Sequence, residues 1–232
     1  MLDWTQLLVT FSLLVFSSLA GADPVADAGG DLSERLAPCA ACHGEHGRST
    51  SEVYFPSIAG KPAGYLYAQL ENYRAGRRRH TIMEGLLAHL SEPYLKEIAA
   101  HYARQEPKWV PPRDPRSDDE LERGRQLVEE GDAELGVPSC RACHGEQLTG
   151  VVPYIPGLVG LRPEYLSAQL GAWRTGARRA AEPDCMAAVA ERLGRDDVGA
   201  VTAWIASRPY PEDPRPAASL PGELPLDCGV VR

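Results

Sequence analysis

Two short runs of cysteine and histidine carry the clearest chemistry in this chain. Both follow the pattern Cys-x-x-Cys-His, at Cys39, Cys42 and His43 and again at Cys140, Cys143 and His144. In this pattern the two cysteine sulfurs form thioethers with the vinyl groups of haem, and the histidine binds one axial position of the iron. The sequence therefore predicts two covalently bound haem c groups.

Helix geometry explains the spacing within each run. On a helix the two cysteines and the histidine fall at positions i, i+3 and i+4, so all three project from one face toward one flat ligand. A redox-active Cys-x-x-Cys pair and a four-cysteine zinc site are the alternatives. Neither alternative explains why a histidine adjoins the second cysteine in both copies, so haem attachment is favoured.

The second axial ligand of each iron separates electron transfer from catalysis. The chain has three methionines, and apart from Met1 these are Met83 and Met186, one downstream of each motif. Methionine often fills gaps in a core, but one in each copy at matching places predicts that both bind iron. The second half has no histidine besides His144. In the first half, His80 is a competitor of Met83.

Two further cysteines, Cys185 and Cys228, lie outside the haem motifs. Cys185 directly precedes Met186, so its thiolate is an alternative iron ligand. In an oxidising compartment the favoured interpretation is a disulfide between Cys185 and Cys228 that holds the C-terminal tail near the second haem. Two free thiols are the other alternative.

The haem motifs belong to a longer internal repeat. In each copy the motif is followed by a proline turn, a Tyr-Leu-x-Ala-Gln-Leu stretch and an Arg-x-Gly-x-Arg stretch. The matching positions include Pro56 and Pro156, Tyr65 and Tyr165, Gln69 and Gln169, Arg74 and Arg174, and Arg78 and Arg178. The Tyr-Leu-x-Ala-Gln-Leu stretch has helical periodicity. Further helices are predicted over 92–105, 118–131 and 196–207, which gives an all-α fold of two tandem domains related by internal duplication.

The repeat and the composition together predict the domain organisation. The predicted segments are a signal peptide at 1–22, an N-terminal domain at 23–106, a Pro-rich linker at 107–117, a C-terminal domain at 118–210 and a Pro-rich tail at 211–232. The apolar run at 7–20 is short for a membrane span and ends in a small-x-small cleavage pattern. Because Asp3 but no Lys or Arg precedes this run, an uncleaved anchor is the alternative. Export to the periplasm fits haem attachment.

Charge and neighbouring residues narrow the expected partners. A net charge of -8 and a pI near 5.3 argue against nucleic acid as a partner.

Backbone carbonyls at Pro56 and Pro156 are expected to accept the second ring N–H of each haem-binding histidine. Arg, Tyr and Trp side chains suit haem propionates. The candidates for that role are Arg74, Arg78 and Tyr65 with their counterparts Arg174, Arg178 and Tyr165, and Arg74 and Arg174 are favoured.

With these motifs, the chain resembles the dihaem cytochrome c4 family over nearly all of its predicted mature length. The resemblance implies two class I cytochrome c domains that face each other across a pseudo-twofold axis, with haem propionates near the interface. It also implies an electron carrier rather than an enzyme, moving electrons one at a time from respiratory or dehydrogenase partners toward a terminal haem-copper oxidase.

Two other functions remain as alternatives. The chain is also similar to the haem subunit of flavoprotein sulfide dehydrogenases. A dihaem peroxidase would need one open or histidine-switched iron, which the matched pair Met83 and Met186 disfavours. Membrane association through partners or an uncleaved signal also stays open.

Overall fold

Helices make up most of both halves of the chain. The computed structural model describes residues 31–50, 55–107 and 117–231. The predicted signal peptide and residues 108–116 of the predicted linker lie outside these ranges. Within the described ranges, no helix is long and apolar enough to cross a membrane.

The first half packs its helices around one apolar core. Its helices are α1 (Leu32–Arg35), α2 (Ala37–His43), α3 (Ala63–Arg74), α4 (Thr81–Leu87) and α5 (Glu92–Ala103). Ser91 caps α5 by accepting a hydrogen bond from the backbone N–H of Tyr94. α3 packs against α5, and the core between them includes the fully buried Leu95 and Tyr102.

The second half repeats this arrangement and adds short strands. Its elements are α6 (Asp118–Glu129), β1 (Gly131–Asp132), β2 (Val137–Pro138), α7 (Cys140–His144), β3 (Gly150–Val151), β4 (Ile155–Pro156), α8 (Pro163–Arg174), α9 (Cys185–Arg192) and α10 (Arg195–Ser207). The helices predicted over 92–105, 118–131 and 196–207 are thereby confirmed, with ends that differ by one or two residues.

The tightest helix contact joins α6 and α10 at Gly124. A side-chain carbon at this position would collide with the backbone of Ala200 and lie 2.7 Å from Cβ of Trp204. Glycine therefore lets the two helix backbones approach closely, as its place in α6 predicts. Leu127 and Val128, both fully buried, extend this contact into the core of the second half.

Two antiparallel pairs of two-residue strands are the departure from the expected helices. β1 pairs with β2 through Gly131 and Pro138, and β3 pairs with β4 through Gly150 and Pro156. Gly131 and Gly150 have φ values of 81° and 93°, which a glycine adopts without steric cost. The pairs are too short to change the all-α class.

The halves meet through equivalent segments that run in opposite directions. Arg78 and Arg178 form an antiparallel backbone bridge. The N–H of Arg79 donates to the carbonyl of Ala177 at 2.8 Å, and the N–H of Arg179 donates to the carbonyl of Arg77 at 2.7 Å. The same segment of each copy thus contacts its counterpart, as the pseudo-twofold arrangement requires.

The Pro-rich tail runs along the second half. Ala217 exchanges backbone hydrogen bonds with the β3 region, donating to Gly150 at 2.9 Å and accepting from Val152 at 3.0 Å. Further on, Cys228 forms a disulfide with Cys185, with Cα atoms 5.1 Å apart. The predicted Cys185–Cys228 bridge is therefore present, and the alternative of free thiols is wrong.

Candidate haem sites

The histidines of the two motifs are oriented in the same way. Nδ1 of His43 lies 3.0 Å from the carbonyl oxygen of Pro56, and Nδ1 of His144 lies 2.8 Å from that of Pro156. Because a carbonyl only accepts, each Nδ1 carries the proton and each Nε2 keeps its lone pair. Both rings are therefore fixed in the tautomer that binds metal through Nε2, with the acceptors that the sequence predicts.

Burial keeps these histidines neutral. It lowers the pKa of His43 and of His144, although the hydrogen bond to the proline carbonyl acts in the opposite direction. A neutral imidazole is the form that binds iron. The tertiary environment therefore prepares both rings as ligands.

The four motif cysteines form no disulfide among the described residues and lie on the same helices as the histidines. Cys39 and Cys42 are in α2, and Cys140 and Cys143 are in α7. Burial raises the pKa of Cys140 to about 12 and also raises that of Cys39 and Cys143. Among the described residues, no three His, Cys, Asp or Glu side chains are grouped to hold a metal ion. This arrangement does not favour the zinc alternative.

A pair of buried arginines occupies the interface between the halves. Arg78 and Arg178 are 8% and 5% exposed. Each guanidinium donates to the side-chain oxygens of both Gln69 and Gln169, at 2.7–3.2 Å. Each also donates to a tyrosine hydroxyl of the opposite half, Arg78 to Tyr165 at 3.2 Å and Arg178 to Tyr65 at 3.3 Å.

These arginines provide a test of whether haem fits. In the described part of the chain, no carboxylate forms an ion pair with either guanidinium, although a buried charge needs a counter-charge. The charge of each arginine also acts on the histidine of its own half. After the larger effect of burial, Arg78 lowers the pKa of His43 and Arg178 lowers the pKa of His144. Haem propionates held at this interface would supply the counter-charges for both cations.

Trp173 supports the same conclusion. Its Nε1 is buried without a hydrogen-bond partner among the described residues, and its ring lies 3.8 Å below the guanidinium of Arg178. An unpaired buried N–H is costly, so this donor is available to an acceptor beside Arg178. The donor set of the site therefore fits two haem groups, whose propionates these side chains would hold.

Arg74 and Arg174 are placed differently from the favoured expectation. Arg74 pairs with Glu71 at 2.6 Å and donates to the carbonyl of Leu90 at 3.0 Å, and Arg174 is exposed. Arg78 and Arg178 are the buried pair instead. Their position four residues after the end of α3 and α8 turns them back into the interface.

The two methionines occupy matching elements. Met83 is the third residue of α4 and Met186 is the second of α9, and both are partly buried. His80, the competitor of Met83, is exposed just before α4. The disulfide of Cys185 removes the thiolate that could compete with Met186.

Two residues near the sites were missed by sequence reasoning. Trp173 is the counterpart of Tyr73 in the repeat, so its indole could have been recognised as a second aromatic donor. Lys61 reaches from the first half to the carbonyl of Gly157 at 2.8 Å. The available signal was that a lysine stands where the second copy has Leu161.

No protein-family model matches the chain. It is 35% identical over 173 residues to the thiosulfate dehydrogenase electron acceptor of Thiomonas intermedia, a match that covers 75% of this chain and 79% of that protein. It is 33% identical over 199 residues to cytochrome c4 of Pseudomonas aeruginosa, covering 84% and 95%.

Two solved structures have the same fold. Reduced cytochrome c4 from Pseudomonas stutzeri matches with a TM-score of 0.66 and 29% identity, over 75% of this chain and 95% of that one. Thiosulfate dehydrogenase (TsdBA) from Marichromatium purpuratum matches with a TM-score of 0.64 and 36% identity, over 74% of this chain and 36% of that one. With two haem attachment motifs on two class I cytochrome c domains, the chain belongs to the dihaem cytochrome c4 family of electron carriers.

Proposed function

We propose that this chain accepts electrons from a periplasmic dehydrogenase and passes them one at a time, through its two haems, to an acceptor such as a terminal haem-copper oxidase. The observation that carries this proposal is the interface of Arg78 and Arg178. Because each guanidinium contacts both halves and its charge acts on the histidine of its own half, one contact between the halves links the two haem sites.

His43 with Met83, and His144 with Met186, are the proposed axial pairs. The placement of both methionines on equivalent short helices supports this assignment. When bound, each haem would supply a one-electron couple, with one histidine and one methionine of the chain as the ligands of its iron. In the chain itself, the proline carbonyls orient the histidine rings, the cysteine sulfurs would attach the haems, and the buried arginines place positive charge at the interface. This arrangement suits outer-sphere electron transfer rather than catalysis on a substrate.

The proposed donor is a dehydrogenase that oxidises thiosulfate. The relative from Thiomonas intermedia is named as the electron acceptor of thiosulfate dehydrogenase, and the matching structure from Marichromatium purpuratum is itself a thiosulfate dehydrogenase. These names favour such a donor over a flavoprotein dehydrogenase. Oxidation of thiosulfate releases electrons that a carrier with paired one-electron sites can accept.

We also propose the domain limits and the route of export. The two cytochrome c domains are assigned to 23–106 and 118–210, with 107–117 as the linker and 211–232 as the tail. Residues 1–22 are assigned to export, after which haem attachment takes place in the periplasm. Mass spectrometry of the protein purified from the periplasm tests the start of the mature chain and the presence of two haems.

Stopped-flow absorption spectroscopy tests the donor. The oxidised dihaem protein is mixed with a purified thiosulfate dehydrogenase and thiosulfate, and reduction of the haems is followed in time. Rapid reduction of both haems is expected, and it should depend on both the enzyme and thiosulfate. Reduction by a flavoprotein sulfide dehydrogenase with sulfide, but not by the thiosulfate enzyme, would contradict the proposed donor.

A further inference from the structure

Lys61 places a positive charge from the first half beside the haem site of the second. Its Nζ donates to the carbonyl of Gly157 at 2.8 Å. Gly157 directly follows Pro156, whose carbonyl oxygen lies 2.8 Å from Nδ1 of His144. The lysine thus holds the same turn that orients the proximal histidine of the second site.

The surroundings of Lys61 keep this charge poorly solvated. The residue is partly buried, and burial lowers its pKa to about 8. At pH 7 the amine is therefore still protonated. Gly157, which accepts from the ammonium, adjoins Pro156, whose carbonyl contacts the ring of His144, so the charge lies close enough to act on the second iron site.

Among the described residues, the first site has no equivalent cation. The repeat places Leu161 at the position of Lys61, and Leu161 packs on the core of the second half instead of crossing the interface. The buried arginines are matched between the two halves, because Arg78 and Arg178 make equivalent hydrogen bonds to Gln69 and Gln169. His80 also acts on His43, but it is exposed, so water and salt screen its effect. Arg141 of the second haem motif, where the first has Ala40, is paired with Glu129 at 2.8 Å. Lys61 has no such carboxylate partner among the described residues, so it adds an uncompensated positive charge at the second site.

We propose that Lys61 is a positioning residue that raises the reduction potential of the second haem above that of the first. Reduction removes one unit of positive charge from an iron centre, so a nearby cation favours the reduced state, and it does so more strongly where water is excluded. One electron then leaves the haem held by His43 and is gained by the haem held by His144, without proton transfer. The inference rests on the proposed His–Met ligation of both irons, because equal ligands leave the surrounding charge to set the order.

Potentiometric titration of the haem-loaded protein at pH 7 tests this proposal. Lys61→Met removes the charge and keeps the length of the side chain. We expect the internal equilibrium constant for electron transfer from the first haem to the second to fall about tenfold, which corresponds to ~59 mV for one electron. Only the reduction potential of the second haem should change. Magnetic resonance of the partly reduced protein assigns each step of the titration to one of the two haems. Lys61→Arg should retain the original separation.

Two comparisons separate this effect from a structural one. Lys96 is an exposed lysine of the first half, with its side chain 60% exposed, so Lys96→Met removes the same charge and should leave both waves unchanged. Lys61→Gln provides a second neutral variant if Lys61→Met binds haem incompletely. An unchanged separation in both neutral variants, or an equal shift of both waves, would overturn the proposal.

The test is independent of the proposed donor. Small-molecule mediators carry the electrons, so failure of thiosulfate dehydrogenase to reduce the protein would leave the result intact. The near-infrared band of methionine-bound ferric haem, recorded for each variant, shows whether the axial ligands are unchanged. If the unaltered protein does not show this band, the His–Met ligation of the proposed function is refuted. The inference about Lys61 then loses its basis as well.

Discussion

Arg78 and Arg178 meet as an antiparallel pair at the centre of the domain interface. Each is buried and donates to the glutamine of its own half and to the glutamine of the other. Two like charges held this close repel each other, so neutral acceptors alone leave the pair costly. Haem propionates would supply the missing negative charge and link haem loading to domain contact.

Arg78→Gln should therefore weaken the interface. The variant loses charge-assisted hydrogen bonds to both glutamines and to Tyr165, and we expect the haem-loaded protein to lose about 2 kcal/mol of unfolding free energy. Arg79→Gln is the matched control, because the side chain of Arg79 is 67% exposed and exposed ion pairs contribute little. Denaturant unfolding measures both variants, and equal losses would contradict the role assigned to Arg78.

The sequence repeat identifies both arginines but not their contact. A duplication shows which positions correspond, and Arg78 and Arg178 correspond. It does not show which positions touch across an interface, because that depends on how two folded surfaces meet. For the same reason Lys61, which has no charged counterpart, could not be linked to Gly157 from the sequence.

Removal of the Cys185–Cys228 disulfide should destabilise the second half. The bridge closes a segment with a sequence separation of 43 residues, and loop-closure entropy for that length is about 4 kcal/mol. The double variant Cys185→Ser with Cys228→Ser avoids leaving a free thiol beside Met186. Denaturant unfolding should show the loss in the second half. The near-infrared band of ferric haem bound by Met83 in the first half serves as the internal control. If mild reductant leaves the unfolding of the unaltered protein unchanged, the bridge does not stabilise the fold.

Gly124→Ala should destabilise the contact between α6 and α10. The added carbon would collide with the backbone of Ala200, and overpacking of this kind costs about 2 kcal/mol. Gly171→Ala is the matched control, because Gly171 is in α8 and, apart from the adjoining backbone of its own helix, no described atom lies within 4 Å of the added carbon. That variant should gain about 0.5 kcal/mol through helix propensity. Thermal unfolding of both variants measures the difference, and a loss at both positions would contradict the packing argument.

Gly124 also illustrates what the sequence reveals about the fold. A glycine inside an amphipathic helix is unfavourable for propensity, so its presence indicates a close approach by another element. The four strands carry no such signal, because each has two residues and alternation cannot be recognised over that length. The strands form where Gly131 and Gly150, both with positive φ, let the chain turn and pair with a neighbouring segment.

Met83→Ala and Met186→Ala test the axial ligands one site at a time. Each variant should lose about half of the near-infrared band of methionine-bound ferric haem, because one iron of the two is opened. The opened iron should then bind added imidazole, which absorption spectroscopy detects. His80→Ala is the control for the competing ligand and should keep the full band. If instead His80→Ala reduces the band and Met83→Ala leaves it unchanged, the ligand of the first haem is misassigned.

Asp132 should make the stability of the second half depend on acidity. Its carboxylate accepts from the N–H of Leu135 at 3.0 Å and from Arg123 at 2.8 Å, and these bonds, that to Leu135 foremost, lower its pKa below the ordinary value of 3.8. A lowered pKa stabilises the fold fully above 3.8, and this stabilisation is lost as the pH falls through the folded-state value.

Asp132→Asn should therefore be less stable than the unaltered protein at pH 7, and the difference should shrink steadily below pH 3.8. Unfolding free energies measured by denaturant titration between neutral and acidic pH give this difference directly. Glu134→Gln removes an exposed negative charge two residues away and controls for net charge. A difference for Asp132→Asn that stays constant down to the acid limit would show that the carboxylate contributes through its shape and not through its charge.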